Sequence, residues 1–289
     1  MKRAVTHRQE ALISSGGSIC SDMSRRIPWR AILESRASAW IVPMSIVAIW
    51  QAVCVLELTP STLLPSPMAV IDAARRLTLT GELPLNLGVS FLRAIGGLAI
   101  GGAIGFFFGL ANGVSKISEV LADSTLQMAR NIPHLALIPL VILWLGIDEE
   151  AKLFLVSIGV FFPIYVNTLH GVRSVDPQLV EMARSYGMPS RELFGLVVLP
   201  GALPSIFVGL RYALGVMWLT LIVAETIAAQ SGLGYMAMQA REFMQVDVVV
   251  LSILIYALLG KFADSVARFL ERACLSWHPA FQRERGVAP

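Results

Sequence analysis

Charged residues are scarce in this chain: 15% of its 289 positions, against about 25% in an ordinary soluble domain. With 55% apolar residues and a mean hydropathy of +0.68, the shortage excludes a normal water-facing surface and points to lipid as the solvent. Cysteine is nearly absent, and Cys20, Cys54 and Cys274 stand too far apart for a disulfide frame or a cysteine metal site. The four histidines, His7, His134, His170 and His278, are as scattered, so no metal is expected. Basic residues share no face and no soluble aromatic platform, which excludes nucleic acid as a partner. No Gly-x-x-x-x-Gly-Lys-Ser/Thr loop occurs; the one Gly-Lys pair, Gly260-Lys261, runs on into Phe262. The chain therefore has no ATPase site of that kind. A membrane enzyme would need a nucleophile–base or metal constellation within its apolar segments, and none is evident.

What is present is a series of apolar segments. Residues 1–37 are polar, carry seven Lys/Arg, and read as a disordered cytoplasmic segment with no signal-peptide core; Met23 offers a second translation start. A permease domain is expected over 38–273 and a cytoplasmic tail over 274–289. Spans are expected at about Trp40–Leu58, Leu87–Ala111, Val120–Leu145, Lys152–Leu169, Pro204–Ala228 and Val248–Leu270, each long enough for about 30 Å of hydrocarbon. Residues 68–80 read as an amphipathic surface helix with Val70, Ile71, Ala74 and Leu77 on one side, and a short helix is expected at Met236–Phe243. Gly97, Gly101, Gly105, Gly109 and Gly113 recur every fourth residue, the spacing of close helix packing in lipid. The Val120–Leu145 span is interrupted by Arg130-Asn131-Ile132-Pro133-His134, and Pro133 and Pro139 each remove a backbone donor. A break at that depth must face protein or a cavity.

Placing the N-terminus inside leaves fifteen Lys/Arg in cytoplasmic segments and four, Arg75, Arg76, Lys152 and Arg241, in outer ones. The asymmetry sets the orientation, with both termini cytoplasmic. It also puts a polar helix pair, residues 176–200, on the cytoplasmic side. Asp176-Pro177 opens the first helix, Gly187 is suited to a left-handed ending, and Ser190 is suited to cap the second. Leu179, Met182, Ala183 and Tyr186 recur at helical spacing as one apolar face, and Leu199-Pro200 reads as the close of the pair.

Glu181-x-Ala183, Gly187 and then Val197-x-Leu199-Pro200 resemble the EAA loop of ABC-importer permeases. Met182 and Val197 depart from that pattern only by apolar swaps. Residues 130–140 and Trp218–Glu225 are similar to permeases for aliphatic sulfonates, relatives of those for taurine and nitrate; the likeness covers most of 38–280. The resemblance implies an all-α integral membrane protein of about six transmembrane helices, with the type I ABC importer permease fold and a cytoplasmic coupling helix. It implies Glu181, Ala183, Arg184, Gly187, Leu199 and Pro200 as the ATPase-coupling residues. It further implies a homodimer in the bacterial inner membrane, bound to a cytoplasmic ATPase that holds ATP and Mg, and to a periplasmic substrate-binding protein. The cargo it implies is an aliphatic sulfonate, with taurine, nitrate or another small anion as the alternative. An ion-coupled secondary carrier, a different class, would require inverted repeats and a paired intramembrane acid site, and no such repeat is evident.

Ionisable residues inside spans need a partner or a cavity. Arg93 is expected to pair with Glu225, Arg211 to bind carbonyls freed near Leu199–Pro204, and Lys261 to pair with Asp264. Arg130, Asn131 and His134 form the candidate translocation pathway, because a guanidinium offers paired donors to a sulfonate's oxygens.

Overall fold

The computed structural model describes residues 41–60 and 63–277. The polar 1–37 segment, Trp40 and residues 278–289 of the tail lie outside the described residues. The chain divides into two compact units, Met1–Pro60 and Ser61–Pro289. In the first, helix α1 (Ile41–Val55) is apolar and 15 residues long, about 22 Å at helical rise.

The second unit is built entirely of helices among its described residues. Helix α2 (Pro67–Leu79) starts where the Ser66 hydroxyl accepts from Ala69 N at 3.2 Å and Pro67 takes the first turn. It buries Val70, Ala73 and Leu77, whereas Ile71 is 58% exposed. The expected face was thus set one residue off: Ala73, not Ile71 or Ala74, completes the i, i+3, i+7 stripe. Helices α3 (Glu82–Val114), α6 (Glu149–Arg173), α9 (Leu199–Ala228) and α11 (Val246–Cys274) are the long ones. Among the described residues, four helices are long and apolar enough to cross a membrane, five if the bent pair is one span. With α1 these match the six expected segments in order, although α1 is shorter than a full span.

The glycine ladder explains how α3 meets α6. A Cβ on Gly97 or Gly101 would fall on Val156 or on the Ser157 carbonyl; on Gly105 it would lie 2.6 Å from Phe161 O, and on Gly109 2.7 Å from Thr168 Cβ. Gly113 meets Val172 in the same way, at 2.8 Å. Backbone meets backbone at Gly101, Gly105 and Gly109, valine side chains fill the two end rungs, and every rung faces α6. On its other side α6 packs against α9, where Gly159 lies under Thr220, Gly209 under Asn167, and Gly171 under the Ala202 carbonyl. Helix α6 is therefore the middle of a three-helix layer.

The expected third span is sharply bent. Helix α4 (Lys116–Arg130) ends before Pro133, a single 3-10 turn (His134–Leu137) follows, and α5 (Ile138–Leu145) leaves at 82°. Ile138 and Val141 of α5 join Ala151, Leu155 and Ala224 in a small buried core. Beyond α6 come α7 (Pro177–Ser185), α8 (Ser190–Leu193) and a wide π turn (Phe194–Val198) that leads directly into α9. The pair is thus not closed at Leu199-Pro200: one helix runs from Ser190 to Ile227. In the π turn Leu199 N donates to Phe194 O, five residues back, so the ladder shifts register just before Pro200 removes a donor. Helix α10 (Leu233–Glu242) lies between α9 and α11, starting three residues ahead of the expected short helix.

Candidate functional site

The handle formed by the polar helix pair, residues 176–200, is built by local capping. Asp176 Oδ1 accepts from Gln178 N at 2.8 Å, with Pro177 as the first helical residue. At the other end Met188 N donates to Ala183 O at 3.1 Å and Gly187 N to Arg184 O at 2.9 Å, the paired bonds of a Schellman ending. Gly187 has φ +79°, which favours glycine. Ser190 is the first residue of α8 and not its cap; Pro189 holds the cap position. Of the expected apolar face, only Ala183 is buried, while Leu179, Met182 and Tyr186 are 48%, 52% and 85% exposed. They form an uncovered stripe at i, i+3 and i+7 on α7. Glu181 and Arg184 are exposed, and Leu199 and Pro200 are half-buried at the root of α9.

A second feature lies halfway along α6 and α9. The helix break opens onto a cavity of about 330 Å³ lined by Arg130, Ile132, His134, Gly159, Phe162, Pro163, Val166, Asn167, Tyr212 and Val216. Arg130 and His134 thus share one space. Asn131 does not line it; its Nδ2 donates to Gln127 O at 3.1 Å, back along its own helix. His134 Nε2 lies 3.0 Å from the hydroxyl of the buried Thr220, in the room left by the missing side chain of Gly159. Tyr212, Asn167 and Thr220 were not singled out by sequence, since each is one polar residue on a continuous apolar helix. Among the other aromatics, Phe162 borders the cavity, Trp218 is buried against Tyr256, and Trp144 is exposed.

Toward the end of the layer where α3 and α6 begin and α9 ends, Arg93 Nη1 reaches Glu225 Oε1 at 2.8 Å, the pairing expected from sequence. The network is larger than that pair. Arg93 also binds Glu149 through Nε and Nη2 at 2.6 and 2.5 Å, and donates to Ser231 O at 2.6 Å. Glu225, with no exposed side-chain surface, accepts further from Ser90 Oγ at 2.8 Å, Tyr256 OH at 2.9 Å and Gly234 N at 2.9 Å. Lys152 Nζ lies 3.1 Å from Glu149 Oε1, so two cations meet two carboxylates. This cluster ties α3, α6, α9, α11 and the turn before α10 together.

A second ion cluster joins α9 to the C-terminal half of α11. Arg211 Nε lies 3.2 Å from Asp264 Oδ1 and its Nη1 3.7 Å from Glu271. Arg211 therefore binds α11 rather than the carbonyls near Leu199–Pro204. Asp264 takes Arg268 at 2.6 Å, one turn on, in place of the expected Lys261; both partners sit at the polar end of α11, where the chain leaves the apolar zone. No group of three or more potential metal ligands occurs among the described residues.

Comparison with known proteins joins these features. SsuC of Escherichia coli (strain K12), named as an aliphatic sulfonates transport permease protein, is 57% identical over 85% of this chain and 94% of its own. The taurine transport system permease protein TauC of the same organism is 34% identical over 90% of this chain and 96% of its own. A solved amino acid ABC transporter matches 68% of this chain and 97% of that one with a TM-score of 0.55 at 21% identity, which speaks to the fold alone. That fold is the all-α type I ABC importer permease. The family described as binding-protein-dependent transport system inner membrane component matches residues 84–275, and this chain belongs to it.

Proposed function

We propose that this chain forms the translocation pathway for aliphatic sulfonates in an ATP-driven importer of the bacterial inner membrane. Energy enters from a separate ATPase, which holds ATP and Mg and docks on residues 181–200. Two copies of the chain form the membrane unit, a periplasmic binding protein delivers the cargo, and both termini are cytoplasmic. The observation that carries this reading is the uncovered apolar stripe of Leu179, Met182 and Tyr186. It lies on a helix that local caps hold rigid, and the next helix runs without a break into a span. A stripe so placed needs a protein partner to cover it. The sulfonate cargo is supported by the likeness to SsuC, and Arg130 and His134 are the pathway residues that would meet its anionic headgroup.

Met182→Glu puts a charge in the middle of the stripe. Losing a buried contact of that kind costs about 2 kcal/mol or more, roughly thirtyfold in affinity. The ATPase should no longer co-purify, while the permease still inserts and still shows the unfolding temperature of the parent chain. Retention of the ATPase, or uptake by the isolated chain, would sink the coupling proposal. Growth on an alkanesulfonate as sole sulfur source, lost on deletion and restored by this chain, tests the cargo.

A further inference from the structure

The cavity at the helix break has a division of chemistry that a pathway does not by itself require. Gly159 and Asn167 bound it along α6 and are eight residues apart, about 12 Å of helical rise. Its apolar wall is Phe162 and Val166, one turn apart on α6, with Val216 of α9. Two of its polar groups are already committed: His134 to Thr220, and the Asn167 amide nitrogen to Pro163 O at 2.8 Å. Arg130 and the Tyr212 hydroxyl have no such partner among the described residues. Among the described residues no carboxylate lines the space. The cavity thus offers one unpaired cation and one free hydroxyl, both on exposed side chains, and an apolar wall.

We infer that this cavity is a transit site for a monoanion with an apolar tail, and that it selects against sulfonates bearing an ammonium group. The inference rests on the pathway reading above and adds a selectivity to it. The guanidinium of Arg130 and the hydroxyl of Tyr212 donate to the sulfonate oxygens, a charge-assisted contact. The alkyl chain lies on Phe162, Val166 and Val216. An ammonium at the far end of a short sulfonate would meet no acceptor of opposite charge among the described lining residues, and Arg130 would repel it. A site that leaves a polar group unpaired discriminates more strongly than one that misfits a methylene.

The test uses this chain in complex with its ATPase in lipid nanodiscs, without the binding protein, so that the binding protein's own preference is removed. Equilibrium dialysis with radiolabelled butanesulfonate should show saturable binding, with taurine competing at least about tenfold more weakly. Arg130→Gln should weaken butanesulfonate binding about tenfold or more. Val216→Asp or Val166→Asp, whichever yields the folded complex, should narrow or reverse the preference by giving the ammonium a partner. Equal competition by taurine, absence of saturable binding, or binding unchanged in Arg130→Gln overturns the inference. Uptake in cells separates the two levels. If Arg130→Gln abolishes butanesulfonate uptake while the complex shows no preference, the selectivity falls and the pathway stands. If uptake is unchanged, both fall.

Discussion

Arg93→Met should lower the stability of the folded chain by about 3–5 kcal/mol, the cost of leaving a buried charge without its partner. The cost falls unevenly on the two carboxylates that Arg93 holds. The side chain of Glu149 is 58% exposed and keeps Lys152 at 3.1 Å, so it returns to water when the guanidinium is gone. Glu225 has no such outlet, because its side chain is fully enclosed and its remaining partners are neutral donors from Ser90, Tyr256 and Gly234. Glu149→Gln is expected to cost less than Arg93→Met but still about 1–3 kcal/mol, because it leaves the buried Lys152 ammonium with only the Ile147 carbonyl as acceptor. The double variant Arg93→Met, Glu225→Gln should recover more than half of the loss, since no uncompensated charge is left inside. Thermal unfolding of the purified permease–ATPase complex in detergent reads all three. If Arg93→Met unfolds with the parent chain, or if the double variant is no better than the single one, the cluster does not hold these ends of the helices together.

That cluster also shows what a sequence carries and what it hides. An arginine and a glutamate in two apolar segments announce each other, because neither can sit in lipid alone. Ser90 and Tyr256 announce nothing, being ordinary residues of a membrane helix, and Glu149 reads as part of a polar turn. Only the packing of α3 parallel to α6, with α9 antiparallel to both, brings them to one point, and that packing follows from glycines whose partners lie about sixty residues away. The handle was legible for the opposite reason. Asp176-Pro177 and Gly187 cap their own helix through neighbours one to five residues off, so the local pattern suffices. Reading failed where a proline was taken as a stop. Pro200 ends no helix, because the π turn before it accommodates the missing donor, and no residue type marks such a turn in advance. The same limit applies to Arg130, Asn131 and His134. Proximity in sequence grouped all three, but the end of α4 turns Asn131 back onto Gln127 and leaves the other two at the cavity.

The glycine ladder yields the other large effect. On Gly101 an added methyl would overlap the carbonyl of Ser157, and on Gly105 it would lie 2.6 Å from the Phe161 carbonyl oxygen. These obstacles are backbone, which cannot rotate away as the far end of a side chain can. Gly101→Ala must therefore push α3 from α6, and overpacking of this kind costs about 1–3 kcal/mol. In lipid the loss is not refunded by a hydrophobic drive, because association there depends on close contact itself. Gly102→Ala, whose methyl would meet the flexible Cδ1 of Ile164 at 3.2 Å, should cost less. Gly215→Ala and Gly260→Ala meet nothing within 4 Å, and should be neutral or gain up to about 1 kcal/mol from the lower entropy cost of ordering alanine in a helix. Thermal unfolding of the four variants in one detergent should rank Gly101 lowest, Gly102 next, and Gly215 and Gly260 at or above the parent. A Gly101→Ala chain as stable as Gly215→Ala would mean that α3 and α6 are not held at backbone contact, and the three-helix layer that frames both the cavity and the Arg93 cluster would have to be redrawn.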